Sequence, residues 1–184
     1  MLSEDYLHEL LRRYQNNFDI TKDYKIGNKT YPAYAWFFSL GEKYVLKKEA
    51  QLWAIRAYEH VLFMKVDEIT TELLKEIKTT IEDYVEPQLV RKGEKYPEKD
   101  HMCSYMTFVI ISEKTPDSLM QKAIKKFHYD KGYLFNFRGH SEGRIACACI
   151  DSRKVLTNYS GKELKELLTN IFNSQVGNKE EKVL

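Results

Sequence analysis

The chain has 184 residues and a formal net charge of +2, with 29 Lys and Arg against 27 Asp and Glu. A hydrophobic fraction of 43%, with 13 Tyr, 9 Phe and only 8 Gly and 4 Pro, excludes a disordered, collagen-like or linker-like chain. The even charge gives no electrostatic case for nucleic acid as a partner.

The polar, acidic start Met1-Leu2-Ser3-Glu4-Asp5-Tyr6 lacks the basic segment and apolar run of a secretory signal. The longest apolar windows, 108–111 and 145–150, fall far short of a bilayer span. Three cysteines, Cys103, Cys147 and Cys149, follow no framework spacing and fit a reducing compartment. A cytoplasmic protein with no membrane contact is expected.

Residues 3–15 read as a helix, with Ser3 as cap, Glu4 and Asp5 in the first turn, and Leu7, Leu10, Leu11 and Tyr14 on one face. Residues 24–31 read as a hairpin turning at Gly27-Asn28, with Pro32 demanding an edge on the outgoing strand. The stretch 43–66 carries two patterns. One is a strand, a turn near 56–59 and a strand at 60–66; the other is a helix over 47–58.

Thr70 or Thr71 caps a helix burying Leu73, Leu74, Ile77, Ile81, Tyr84 and Val85, and Pro87 is expected to end it. Residues 91–100 form a charged loop, and 102–111 a central strand. Thr115-Pro116-Asp117 starts a helix that buries Leu119, Met120, Ala123, Ile124 and Phe127 and stops at Gly132. The alternation over 133–137 predicts a half-buried strand, 138–143 a loop, and 145–150 a second central strand paired with 154–157. Ser160 and Glu163 form the capping box of a last helix with Leu164, Leu167, Leu168, Ile171 and Phe172 on its inner face.

The expected fold is α+β: a mixed sheet of N-terminal antiparallel strands, then strand–helix–strand–helix–strand, with helices packed on it. One domain covers 1–173, followed by a polar tail at 174–184.

Complete catalytic constellations are missing from the sequence. His101 and Cys103, two apart on one strand, should share a face and are the weak metal candidates, with Cys147 and Cys149 nearby. Free cysteines between apolar residues are more simply small core hydrophobes. Cys103 with a histidine has no signature of a nucleophile class. Glu59, Lys65, Asp67 and Glu68 hint at a metal-dependent, restriction-endonuclease-like domain, possibly degenerate, yet the Glu-x-Lys step that such chemistry requires is missing. The loop 138–144, with His140 between two glycines and Arg138 and Arg144 flanking them, suits an anion. Tyr133 and Phe135 add a flat apolar contact beside it. These five residues are the ligand-binding candidates, and no cofactor is called for.

At His101-Met102, at Phe127-His128-Tyr129-Asp130-Lys131-Gly132, and at Phe135, Phe137, Gly139 and Arg144, the chain resembles a family of uncharacterised proteins from clostridia and related Firmicutes, from about Tyr6 to Lys162. The resemblance implies a bacterial cytoplasmic protein and transfers no activity, and the family carries an aromatic where this chain has His140. The function expected is a non-catalytic domain that binds a small molecule or a protein partner. The nuclease-like domain is the alternative, and a toxin, immunity or phage-related interaction protein the third reading.

Overall fold

A computed structural model describes residues 2–43 and 53–180. Helix α1 (Ser3–Tyr14) leads into strands β1 (Asp19–Ile26), β2 (Lys29–Lys43) and β3 (Trp53–Val66). Helix α2 (Thr71–Thr80) runs on as a π-helical segment (Ile81–Val90) to β4 (His101–Ser112). Helix α3 (Ser118–Lys126), β5 (Asp130–Gly132), β6 (His140–Cys149), β7 (Lys154–Thr157) and α4 (Leu164–Glu180) complete the described chain. The result is the expected α+β fold, a seven-stranded mixed sheet contacted by four α-helices.

The sheet order is β1-β2-β3-β4-β6, with β5 and β7 sharing the far edge of β6. The β1–β2 and β2–β3 pairs are antiparallel, whereas β3–β4 and β4–β6 are parallel. Two right-handed crossovers advancing in one direction lay their helices on the same face. Here α2, its π-helical extension and α3 cover one face, built on Leu62, Met64, Phe108, Ile110, Ile145 and Cys147. The terminal helices α1 and α4 cover the other, on Val61, Phe63, Val109, Ile111, Ala146 and Ala148. Tyr6 joins these two helices, its ring tilted against Phe172 with centroids 4.6 Å apart and its hydroxyl donating to the Leu168 carbonyl at 2.8 Å.

Local signals explain most elements. The β1–β2 hairpin turns at Gly27, whose φ of +61° favours glycine. Thr70 caps α2 by accepting the Leu73 N–H at 3.1 Å. Pairing of β2 with β3 starts at Ala33, so Pro32 has a free edge on that side. Tyr31 and Tyr34 pack in one cluster although strict alternation would separate them; the unpaired Asp23–Pro32 position, where Asp23 adopts φ +49°, absorbs the offset.

Several expectations are corrected. β3 runs unbroken through 56–59, so neither a turn there nor a helix over its residues forms; residues 44–52 of that reading lie outside the described chain. Pro87 does not end the helix. Its missing N–H is tolerated because the backbone has widened into a π-helix, closed by the Arg91 N–H on the Glu86 carbonyl at 3.0 Å and the Gly93 N–H on the Pro87 carbonyl at 2.9 Å. Asp117 rather than Thr115 caps α3, accepting the Met120 N–H at 2.8 Å, and the helix ends at Lys126, not near Gly132. Leu119 faces solvent.

Residues 133–138 form a turn instead of a strand. Leu134, Phe135 and Asn136 all take left-handed conformations, with φ of +48°, +52° and +67°. The capping box at Ser160 is replaced by buried Asn158, whose side-chain oxygen accepts the Ile145 and Gly161 N–H groups, both at 2.9 Å. The Ser160 hydroxyl donates to Glu142 instead.

Candidate functional site

The residues of β1–β3 that point towards the crossover helices are polar or aromatic at one end of the sheet. Register places Trp36 beside His60 and Phe38 beside Tyr58, with Tyr34 one step further along β2. The π-helical segment reaches this end only with its last residues. Gln88, Leu89 and Lys92 therefore stand over the sheet without filling the space beneath, leaving a cleft of about 370 Å³ with Tyr34, Trp36, Tyr58 and His60 in its lining. Aromatic walls with few convergent polar groups are the usual make-up of a small-molecule site.

Buried His60 and Tyr34 form the floor, with the Tyr34 hydroxyl 2.7 Å from Nδ1. Burial, with smaller contributions from the Lys92 and His101 charges, lowers the His60 pKa to about 4. Burial likewise raises that of Tyr34. Both groups are neutral at pH 7. The pair holds two protons and makes one hydrogen bond internally, so one donor is left facing the cleft, without an acceptor among the described residues.

The rim is fixed by Glu98 of the charged loop. Its carboxylate accepts from Lys92 at 2.7 Å and Tyr58 at 2.9 Å, and pairs with Arg56. These hydrogen bonds, that of Lys92 foremost, hold Glu98 below the usual carboxylate range against the opposing effect of burial. Lys92, itself at φ +54°, lies 5.7 Å from the Tyr58 ring centre.

A second polar group supports the first from behind. His101 stacks on Tyr58, donates from Nδ1 to the Arg138 carbonyl at 2.8 Å and accepts at Nε2 from the Ser104 hydroxyl at 2.8 Å. Tyr133 meets His101 edge-on and donates to Glu86 at 2.8 Å. Glu86 is 1% exposed and also receives Arg91 at 2.7 Å and Lys131 at 3.0 Å. Burial alone would raise its pKa; the hydrogen bonds from Arg91, Lys131 and Tyr133 outweigh it and hold the carboxyl below its ordinary value. The π-helical segment is thus bolted to the sheet next to the cleft by a satisfied buried charge.

The residues singled out from the sequence are dispersed. Arg138 is half-buried, its carbonyl on His101 and its guanidinium on the Pro97 carbonyl at 3.2 Å. His140 opens β6 between Cys103 and Gly132. Arg144 lies on the opposite face, 3.4 Å over the Tyr105 ring and 3.8 Å from Glu59. Tyr133 is buried, whereas Phe135 is 96% exposed and its neighbour Phe137 86%. The glycines between them do not form an anion cradle: the Gly139 N–H goes to the Asn136 carbonyl and the Gly143 N–H to the Tyr129 carbonyl.

His101 and Cys103 do not share a face. Arg56 pairs with His101 and Ala57 with Cys103, and this bulge at Met102 turns His101 towards Ser104 and Tyr58. Cys147 packs on the crossover-helix face, away from Cys103. Among the described residues no three His, Cys, Asp or Glu groups are placed to share a metal ion. Glu59 accepts from Thr107 at 2.8 Å midway along β3. Lys65 pairs with Glu4 at the C-terminal end of the strand, roughly 20 Å away by strand rise. Glu68 pairs with Lys114, so the nuclease-type grouping does not assemble.

Tyr34, Tyr58, His60, Leu89 and Lys92 escaped the sequence reading as a site. Ending the helix at Pro87 hides Gln88 and Leu89. The available signal is His60, a histidine immediately before the apolar run 61–64.

Fold and cleft define a class: a mixed-sheet domain between two helical layers, with an open aromatic pocket at its antiparallel end. The chain belongs to a family described as a domain of unknown function (DUF8052), which matches residues 2–170. No curated protein and no solved structure matches it. Among the described residues no helix is long and apolar enough to cross a membrane.

Proposed function

We propose that the domain is a binding module for a planar, largely apolar small molecule carrying a hydrogen-bond acceptor, held in the cleft between β1–β3 and the end of the π-helical segment. The observation that carries this reading is the unpaired donor of the buried His60–Tyr34 couple on the floor of an aromatic cleft. Trp36 and Tyr58 supply flat walls, Leu89 a lid-side apolar contact, and Lys92 a charge at the mouth. With His60 and Tyr34 both neutral, the floor favours recognition over proton transfer near pH 7. The exposed Phe135 and Phe137 are the matching candidate for contact with a protein partner. The three buried free cysteines support a reducing compartment as its setting.

Fluorescence of Trp36, isolated in a Trp53→Phe background, tests the cleft. Titration with purines, pterins and indoles is expected to give a compound that quenches Trp36. Its affinity should fall about tenfold in His60→Leu, the worth of one well-made hydrogen bond, and fall further in Leu89→Phe, which narrows the space without adding a second indole. Absence of any quenching compound, or binding indifferent to Leu89→Phe, overturns the proposal.

A further inference from the structure

The opposite edge of the sheet carries a different surface. Strand β7, with the residues around it, floors an open groove of about 530 Å³ walled by α3 and by the segment entering α4. Five lysines line it: Lys122 and Lys125 from α3, Lys154 from β7, Lys162 from the turn before α4 and Lys165 from its first turn. Acidic side chains are absent from its lining, and all five lysines are exposed. None of the five enters an ion pair among the described residues. Among the described residues the only side-chain hydrogen bond these lysines make joins Lys154 to the neutral Gln121 at 2.6 Å.

The whole chain has a net charge of only +2, so this one groove holds more positive charge than the molecule's entire excess. Lysine at an edge strand has an ordinary use in preventing edge-to-edge pairing. That use accounts for Lys154. It does not account for four lysines brought to the same groove from the flanking helix and the entry to α4, where like charges repel one another. Such a concentration is stabilised by an anion that spans it.

Tyr159 narrows the choice of anion. It lines the groove, is 76% exposed, and has Lys162 5.1 Å from its ring centre. An exposed aromatic flanked by cations offers one face for a base to stack on while lysines meet the phosphates, as single-strand binding surfaces do. The floor strand from Lys154 to Thr157 spans roughly 10 Å, with Tyr159 just beyond it, enough to follow a short stretch of backbone. We infer that the groove formed by β7, α3 and the start of α4 binds single-stranded nucleic acid, with Lys122, Lys125, Lys154, Lys162 and Lys165 on the phosphates and Tyr159 stacked on a base. This surface is separate from the cleft, and neither assignment depends on the other.

Fluorescence anisotropy of the full chain with a labelled oligothymidylate of about 12 nucleotides tests the inference. Inorganic polyphosphate and phosphatidylserine vesicles serve as competitors. Binding is expected at 50 mM salt and should weaken roughly 20- to 130-fold by 200 mM, the slope for three to five phosphate contacts on a single strand. Lys125→Glu with Lys162→Glu should cost at least about tenfold at 50 mM salt, and Tyr159→Ala about fivefold or more. The tyrosine variant should leave polyphosphate binding unchanged. No binding at 50 mM salt, indifference to the charge reversals, equal competition by polyphosphate with no effect of Tyr159→Ala, or preferential binding of vesicles would each overturn it.

Discussion

His60 is neutral in the folded protein because burial opposes its charge, and its pKa near 4 lies below the ordinary value of 6.5. An unfolded chain therefore binds a proton that the folded one refuses between these two values. Stability contributed by the neutral ring is complete above pH 6.5 and declines as the pH falls towards 4, by about 3 kcal/mol if the whole shift is expressed. Urea unfolding followed from pH 7.5 to 4 should show this decline, and His60→Gln should flatten it. An equal slope in the variant would assign the acid sensitivity to other groups. The same side chain shows what was legible at this scale. A histidine at the start of an apolar strand was visible in the sequence; that Tyr34 would lie across from it at hydrogen-bond distance depended on the β2–β3 register, which composition does not fix. Met102 is a similar case: spacing alone put His101 and Cys103 on one face, and a single bulged residue separated them.

Among the elements, those with strong local signals formed as expected: the hairpin at Gly27, the cap at Thr70 and the apolar strands β4 and β6. Two failed for nameable reasons. Pro87 was read as a helix stop because an α-helix cannot absorb it, and the chain answered by widening its turns. Residues 133–137 carry a strand-like alternation, yet three successive left-handed residues fold them into a turn closed by the Arg138 N–H on the Tyr133 carbonyl and, between neighbouring segments, the Tyr133 N–H on the Gly139 carbonyl. Gly139 is required here. It sits at φ +72°, and a Cβ would fall 2.2 Å from the Met102 carbonyl oxygen. Left-handed geometry costs a residue with a side chain roughly 1–2 kcal/mol. Phe135 gains almost no burial in return. Phe135→Gly is therefore expected to raise stability by about 0.5–1 kcal/mol, read as a higher urea midpoint at an unchanged m-value. A lower midpoint would mean that the ring makes stabilising contacts in solution.

At the scale of the molecule, the order of strands and helices was readable because hydrophobic period and turn residues mark each boundary. The division of helices between faces was not. It follows from crossover handedness and from the meeting of the two chain-terminal helices, which are more than a hundred residues apart in sequence. Leu168, Ile171 and Phe172 of α4 are buried against α1 and the sheet. Three such side chains contribute roughly 5–9 kcal/mol of transfer energy, a large part of the net stability of an ordinary domain. A chain ending before Leu164 should therefore lose cooperative unfolding by circular dichroism, while Phe172→Ala should remain folded and lose about 3–4 kcal/mol. A truncated chain that melts cooperatively near the parent temperature would show that α1 covers the face unaided.

The sheet's make-up also bears on how the protein is made. Strands β1, β2 and β3 are neighbours in sequence and pair antiparallel, so they can zip together as soon as they leave the ribosome. The parallel β3–β4 and β4–β6 pairs must wait for whole crossovers, and the layer over β4 and β6 waits for the last helix to be synthesised. During that interval the nascent β3 edge, with Val61, Leu62, Phe63 and Met64, has neither its parallel neighbour nor its full cover, so it is the stretch most exposed to wrong strand pairing before synthesis is complete.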